Sequence, residues 1–283
     1  MDLTRAVLLG AAALVAGAIN AVAGGGTLIS FPAAIAAGLS PLVANATNAV
    51  ALTPASLGSA WGYRRELARD RHVLRVLLLP SLLGGAGGSV LLLVTPQRLF
   101  DAAVPGLVLL ATLLLLWQNL RRKPAARPAA AAASVSAPVA ASASAPVAAA
   151  ASASAGEWQL PRRAWVVALL QFLVSLYGGY FGAGMGIMML ALFSMLGGGV
   201  DIHRMNGIKT VLAGLINGVA AIEFIAAKAV DPEATLIMAG TALIGGIVGA
   251  VLARRVNPAT VRWAVVAFGL VLTATLAWKR FSP

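Results

Sequence analysis

Residues 20–48 read NAVAGGGTLISFPAAIAAGLSPLVANATN. The stretch is apolar enough for a lipid bilayer, yet it carries three consecutive glycines, prolines and three asparagines. Displaced by 158 positions it recurs, diverged, as GGYFGAGMGIMMLALFSMLGGGVDIHRMN over residues 178–206. Gly24 then falls on Gly182, Gly26 on Gly184 and Asn48 on Asn206. Glycine breaks in otherwise apolar helices, duplicated in the two halves of a chain, are the mark of a secondary transporter with its site between discontinuous helices.

Composition agrees. Hydrophobic residues make up 60% of the chain and charged ones only 11%, with a mean hydropathy of +0.89. Soluble domains average about 45–50% apolar and ~25% charged, so a polytopic membrane protein is expected. The formal charge of +12 does not point to nucleic acid, because the Lys and Arg residues sit between apolar runs rather than on one basic face. The absence of cysteine and the presence of only two histidines, His72 and His203, leave no thiolate chemistry and little for a metal centre. No cofactor is expected. The N-terminus resembles a signal peptide, with Arg5, an apolar run and Ala21-Val22-Ala23. Its counterpart at 164–181 lies mid-chain and cannot be a signal, so 6–23 is expected to remain as a helix.

Apolar runs cover 6–23, 26–38, 42–63, 73–94 and 99–118, and again 164–181, 184–197, 205–226, 234–253 and 259–278. Most reach the ~20 residues that span a bilayer as a helix. The runs 26–38 and 184–197 are shorter, and each follows a glycine cluster. They are expected as short tilted or re-entrant helices, tolerated where protein or water covers the backbone. The fold is therefore all-α and polytopic, with two repeats of about five segments each. Residues 1–120 form the first transmembrane repeat, 121–160 an Ala/Ser/Pro-rich linker and 161–283 the second repeat. An odd number of segments inverts the second copy relative to the first.

Charges give the orientation. The loop 64–75 (RRELARDRHVLR) holds five arginines, whereas its counterpart 227–233 (AKAVDPE) holds one lysine and two acids. Arginine and lysine favour the cytoplasm, which places 64–75 and the linker inside and both termini outside. Prolines at 124, 128, 138 and 146 interrupt any long helix in the linker. It reads as a disordered cytoplasmic tether.

A glycine turn that ends one helix and begins another exposes backbone N–H groups, and a helix N-terminus favours anions. Gly24, Gly25, Gly26 and Thr27, with Gly182 and Gly184, suit that use. Packing is the competing reading, and it is preferred for Gly84/Gly88 and Gly245/Gly249, whose small-xxx-small spacing is common in membrane helices. Asn48 and Asn206, present in both copies, are candidates to line a polar cavity, with Thr47 nearby; helix–helix glue is the alternative. Lys209 stands one turn into an apolar run. It can pair with substrate or snorkel to the interface.

The first copy, AGAINAVAGGGTLISFPAAIAAGLSPLVANATNAVAL, and the second, GGYFGAGMGIMMLALFSMLGGGVDIHRMNGIKT, resemble the TauE/SafE family of membrane permeases, the sulfite exporter family. The resemblance covers both repeats. It implies a duplicated multi-pass bundle of the bacterial inner membrane that moves sulfur-containing anions, sulfite or organosulfonates, usually outward. Carried over by position, the family's glycine signature falls on Gly24, Gly25 and Gly26 and on Gly182, Gly184 and Gly186, and its Ala-Thr-Asn element on Ala46, Thr47 and Asn48. In the second copy Met205 replaces the threonine.

The expected function is secondary transport of a small anion by alternating access, with export the direction the family implies. Gly24, Gly25, Gly26, Thr27, Thr47, Asn48, Gly182, Gly184, Asn206 and Lys209 would form the site. The expected partners are the anion and the bilayer; homo-oligomers are compatible with the reading, and no nucleic acid or metal enters it. The alternatives are another small anion, a cation held by backbone carbonyls, or an intramembrane enzyme. The last would need a nucleophile with a base, or a metal set, and the serines of the apolar runs have no histidine beside them.

Overall fold

The computed structural model describes residues 1–121, 158, 164–196, 200–253, 255–256 and 258–281. The first half contains α1 (Leu3–Val22), α2 (Thr27–Ala36), α3 (Pro41–Gly62), α4 (Arg64–Arg69), α5 (Arg71–Val94) and α6 (Gln97–Arg121). The second contains α7 (Ala164–Tyr180), α8 (Met185–Leu196), α9 (Ile202–Ala226), α10 (Pro232–Leu252) and α11 (Pro258–Phe281). Every apolar run is a helix, and the described residues contain no sheet. The unexpected element is α4, one short helix in the arginine-rich loop. The linker reading lies outside the described residues except for Arg121, which ends α6, and Trp158, which is buried.

Five helices, α1, α5, α6, α9 and α10, are long and apolar enough to cross a membrane. Large side chains such as Leu79, Leu83, Leu99, Leu236 and Val271 are exposed, the outer coat that lipid covers. The protein is a multi-pass, all-helical membrane protein. With 10 and 12 residues, α2 and α8 rise only about 15 and 18 Å at ~1.5 Å per residue. Neither crosses a hydrocarbon core of ~30 Å alone.

Small residues decide the packing. α1 and α10 run parallel and touch through backbone: Gly10 faces Ile237 and Thr241, Gly245 faces Leu14, and Gly249 faces Ala18. α5 and α7 do the same, with Gly84 against Phe172 and Ser175, and Gly88 against Leu176 and Tyr180. A side chain at Gly245 or Gly88 would collide with a neighbouring carbonyl oxygen. These glycines are therefore packing residues, as their spacing indicated. α3 also runs parallel to α10, with Gly58 on Leu243 and Ile247 and Gly62 on Ala250. α5 runs parallel to α9 through Gly85 on Ile216 and a Ser89 Oγ to Glu223 Oε2 hydrogen bond of 2.6 Å. Finally, α3 and α9 cross antiparallel, with Gly207 at Tyr63, Gly214 at Ser56 and Gly218 at Thr53.

This packing makes a sharp forecast. Gly245→Val should lower the unfolding midpoint of the purified protein, by an overpacking cost of about 1–3 kcal/mol. Gly240→Ala, on the same helix with no atom within 4 Å of the added carbon, should leave it unchanged or raise it. Equal midpoints for both variants in a thermal melt would contradict the backbone contact.

Candidate functional site

The two glycine breaks are built alike. At the end of α1 the N–H groups of Ala23 and Gly24 both donate to Ile19 O, at 2.8 and 3.1 Å. At the end of α7 those of Phe181 and Gly182 both donate to Tyr177 O, at 2.9 and 3.3 Å. Gly24 and Gly182 take φ of +79° and +74°, the left-handed conformation that closes a helix and favours glycine. The chain then turns directly into α2 and α8. The breaks also meet: a Cβ on Gly24 would lie 3.2 Å from the carbonyl carbon of Gly186, and one on Gly186 would lie 3.3 Å from Lys209 Cδ.

Around that meeting point lies a cavity with about 40 Å³ open to water centres. At roughly 10–15 Å³ per water, it takes a few waters or one small polyatomic ion. Its wall combines Asn20, Asn45, Asn48 and Asn217, Thr27 and Thr210, Ser56 and Ser59, and Lys209 with the glycines of both breaks, and none of its described residues is acidic. The apolar part of the wall includes Leu52, Phe181 and Met185.

Lys209 is the one charge in this wall. Its side chain does not snorkel: the residue is 2% exposed, and Nζ donates to Asn20 O at 2.7 Å and to Asn206 Oδ1 at 2.9 Å. An ammonium has three donors, and both of these acceptors are neutral. Among the described residues the ion pairs lie elsewhere, between the Met1 amino group and Glu233 and between Arg204 and Asp70.

The other expected residues fall in three groups. Gly24, Gly25, Thr27, Asn48 and Gly182 line the cavity with Lys209. Asn48 Oδ1 accepts from Ser30 Oγ, which orients the amide from the neighbouring α2. Asn206 stands behind Lys209, its Nδ2 donating to Val22 O at 3.2 Å and its Oδ1 holding the ammonium. Gly26, Thr47 and Gly184 are turned elsewhere. Gly26 packs on Ala16, and its N–H donates to Asn20 Oδ1 at 2.8 Å. Gly184 packs on Ala111. Thr47 Oγ1 accepts the N–H of Asp231 at 3.0 Å, tying α3 to the start of α10.

Sequence reading had assigned no role to Asn20, which holds both Gly26 and Lys209, or to Thr210, whose buried hydroxyl has no partner among the described residues. Asn20 falls on Gly178 in the second copy, so the search for duplicated positions passed over it.

Buried polar contacts lie toward both ends of the bundle. On the arginine-rich side, Tyr63 is fully buried and donates to Ala21 O at 3.1 Å. Beside it, Arg204 Nε donates to Asp70 Oδ2 at 2.9 Å and its NH2 group donates to Oδ1. Both residues of this pair are buried. On the other side, Asn45 Nδ2 donates to Tyr180 O at 2.9 Å, beside the Thr47–Asp231 contact.

Comparison with known proteins agrees with this architecture. The family model described as Sulfite exporter TauE/SafE matches residues 9–276. A Haemophilus influenzae protein described as "Probable membrane transporter protein" is 32% identical over 95 residues, 34% of this chain and 37% of that protein. The aligned region thus spans little more than a third of that relative. No solved structure matches. The chain belongs to the TauE/SafE sulfite exporter family.

Proposed function

We propose that the cavity at the meeting of the two breaks binds a small oxyanion of sulfur, such as sulfite, and passes it across the bacterial inner membrane by alternating access. One observation carries the reading: a buried lysine in the wall of a membrane cavity, held only by neutral oxygens. An intramembrane cation is costly, and an anion beside it offsets that cost. The amides of Asn48 and Asn217 and the hydroxyl of Thr210 supply further hydrogen bonds. Among the described residues, the N–H of Thr27 at the start of α2 has no protein acceptor, a donor of the kind that anions use. An acid-free wall favours an anion over a cation, and the small volume favours a compact one. The description of the family supports sulfite.

The antiparallel crossing of α3 and α9 and the exchanged partnerships of α1 with α10 and α5 with α7 support an inverted duplication. We take the arginine-rich end as cytoplasmic, on charge, and export as the direction. Uptake into proteoliposomes tests the substrate, with sulfite, sulfoacetate, taurine, sulfate and thiosulfate compared at equal concentration. Sulfite or a sulfonate should move fastest; transport of none of them would end the reading. A reporter inserted after Ala140 should read out cytoplasmic and one after Lys228 periplasmic, and the same side for both would remove the inverted arrangement.

A further inference from the structure

A second hollow lies at the arginine-rich end. It forms where the turn between α4 and α5 meets the first turn of α9, has about 210 Å³ open to water centres, and is lined by Arg69, Asp70, His72, Trp158 and Arg204. Four of these side chains bring donors. The fifth, Asp70, has both carboxylate oxygens engaged by Arg204, so its charge is already neutralised within the wall. Trp158 is 8% exposed and sits edge-on against Phe193, with ring centroids 5.8 Å apart and planes at 85°. That contact fixes the indole, yet its Nε1–H has no hydrogen-bond partner among the described residues. A buried N–H without an acceptor is destabilising, and an indole can only donate. The hollow therefore offers a fixed donor, unpaired among the described residues, beside two arginines and a histidine.

We propose that this hollow is a second oxyanion site, distinct from the cavity at Lys209. Trp158 Nε1–H, the Arg69 guanidinium and the His72 imidazole donate to the anion, while Arg204 adds charge from its place on Asp70. The proposal rests on the functional reading above for the side it faces and for the anion it takes, and it extends that reading. A transported anion is captured at the cytoplasmic surface before it reaches the cavity. Arg204 joins the two sites, because it lies one to two turns before Lys209 on α9. An anion in the hollow competes with Asp70 for the guanidinium and weakens that pair.

The phosphate of an anionic lipid presents the same oxygen chemistry, so the test separates the two sources. The full chain, labelled with 5-fluorotryptophan, is placed in nanodiscs of neutral phosphatidylcholine, and the Trp158 signal is assigned by its loss in Trp158→Phe. Sulfite should shift that signal saturably. The shift should persist in Lys209→Ala, and half-saturation should rise about tenfold when Arg69 and His72 are both changed to Gln, as expected for lost charge-assisted hydrogen bonds. The proposal is overturned by no saturable shift, by a shift abolished in Lys209→Ala, or by a shift produced only by anionic lipid. Flux measured on Lys209→Ala judges the central cavity separately, so either site can fail while the other stands.

Discussion

Lys209→Ala is expected to reduce anion flux in proteoliposomes by ten- to a hundredfold per inserted molecule. Hydrogen bonds to charged groups contribute about 1.5–3 kcal/mol, and ~1.4 kcal/mol is a factor of ten. Membrane insertion should not suffer. An intramembrane lysine is costly to insert, so its removal favours insertion. Against that gain stands the loss of a donor for Asn20 O and Asn206 Oδ1. Lys209→Met keeps the length and packing against Gly186 without the charge, and it should match the alanine variant in flux. Arginine would keep the charge but carries a planar fork that does not fit the ammonium's place, so partial activity is expected. Wild-type flux in both neutral variants would remove Lys209 from the site.

The second large effect is expected at Asp70. Asp70→Asn leaves the Arg204 guanidinium buried without its carboxylate, a change of the kind that costs about 3–5 kcal/mol. The unfolding midpoint and the yield of folded protein should both fall. Replacing the two residues together, Asp70→Leu with Arg204→Met, should recover most of the loss, because apolar pairs of similar volume often match buried ion pairs in stability. The double variant also separates stability from function. On the transport reading proposed above the pair seals the arginine-rich end, so a folded double variant should leak anion or lose its dependence on sulfite concentration. A single variant as stable as wild type would show that the pair does not hold the turn to α9.

The contrast between Asp70 and Asp231 is instructive, since each precedes a helix at corresponding places in the two halves. Asp231 caps its own helix, its Oδ1 accepting the N–H of Ala234 at 2.8 Å, as an N-terminal aspartate ordinarily does. Asp70 makes no such cap and spends its carboxylate on Arg204 instead. Spacing alone could not distinguish the two, because the choice is made by a residue more than a hundred positions away.

The same limit runs through the whole reading. Ten helices were legible because the bilayer demands long apolar runs and the glycine breaks interrupt them visibly. α4 was not, since RRELAR has no apolar stripe to read. The breaks and Lys209 stood out as departures from an apolar background, and duplication brought forward Asn48 and Asn206. Nearness to Asn48 brought forward Thr47, whose hydroxyl accepts the backbone N–H of Asp231, and duplication hid Asn20, which has a glycine for a counterpart. A polar atom's direction depends on helix rotation, and rotation is set by packing between helices distant in sequence.

The glycine seams between α1 and α10 and between α5 and α7 have a mechanical consequence. Each joins a helix of the first half to one of the second through bare backbone, where an added side chain would meet a carbonyl oxygen. The stiff blocks are therefore chimeras: α1 and α3 with α10, and α5 with α7 and α9. Either half alone would present an uncovered glycine seam to the lipid.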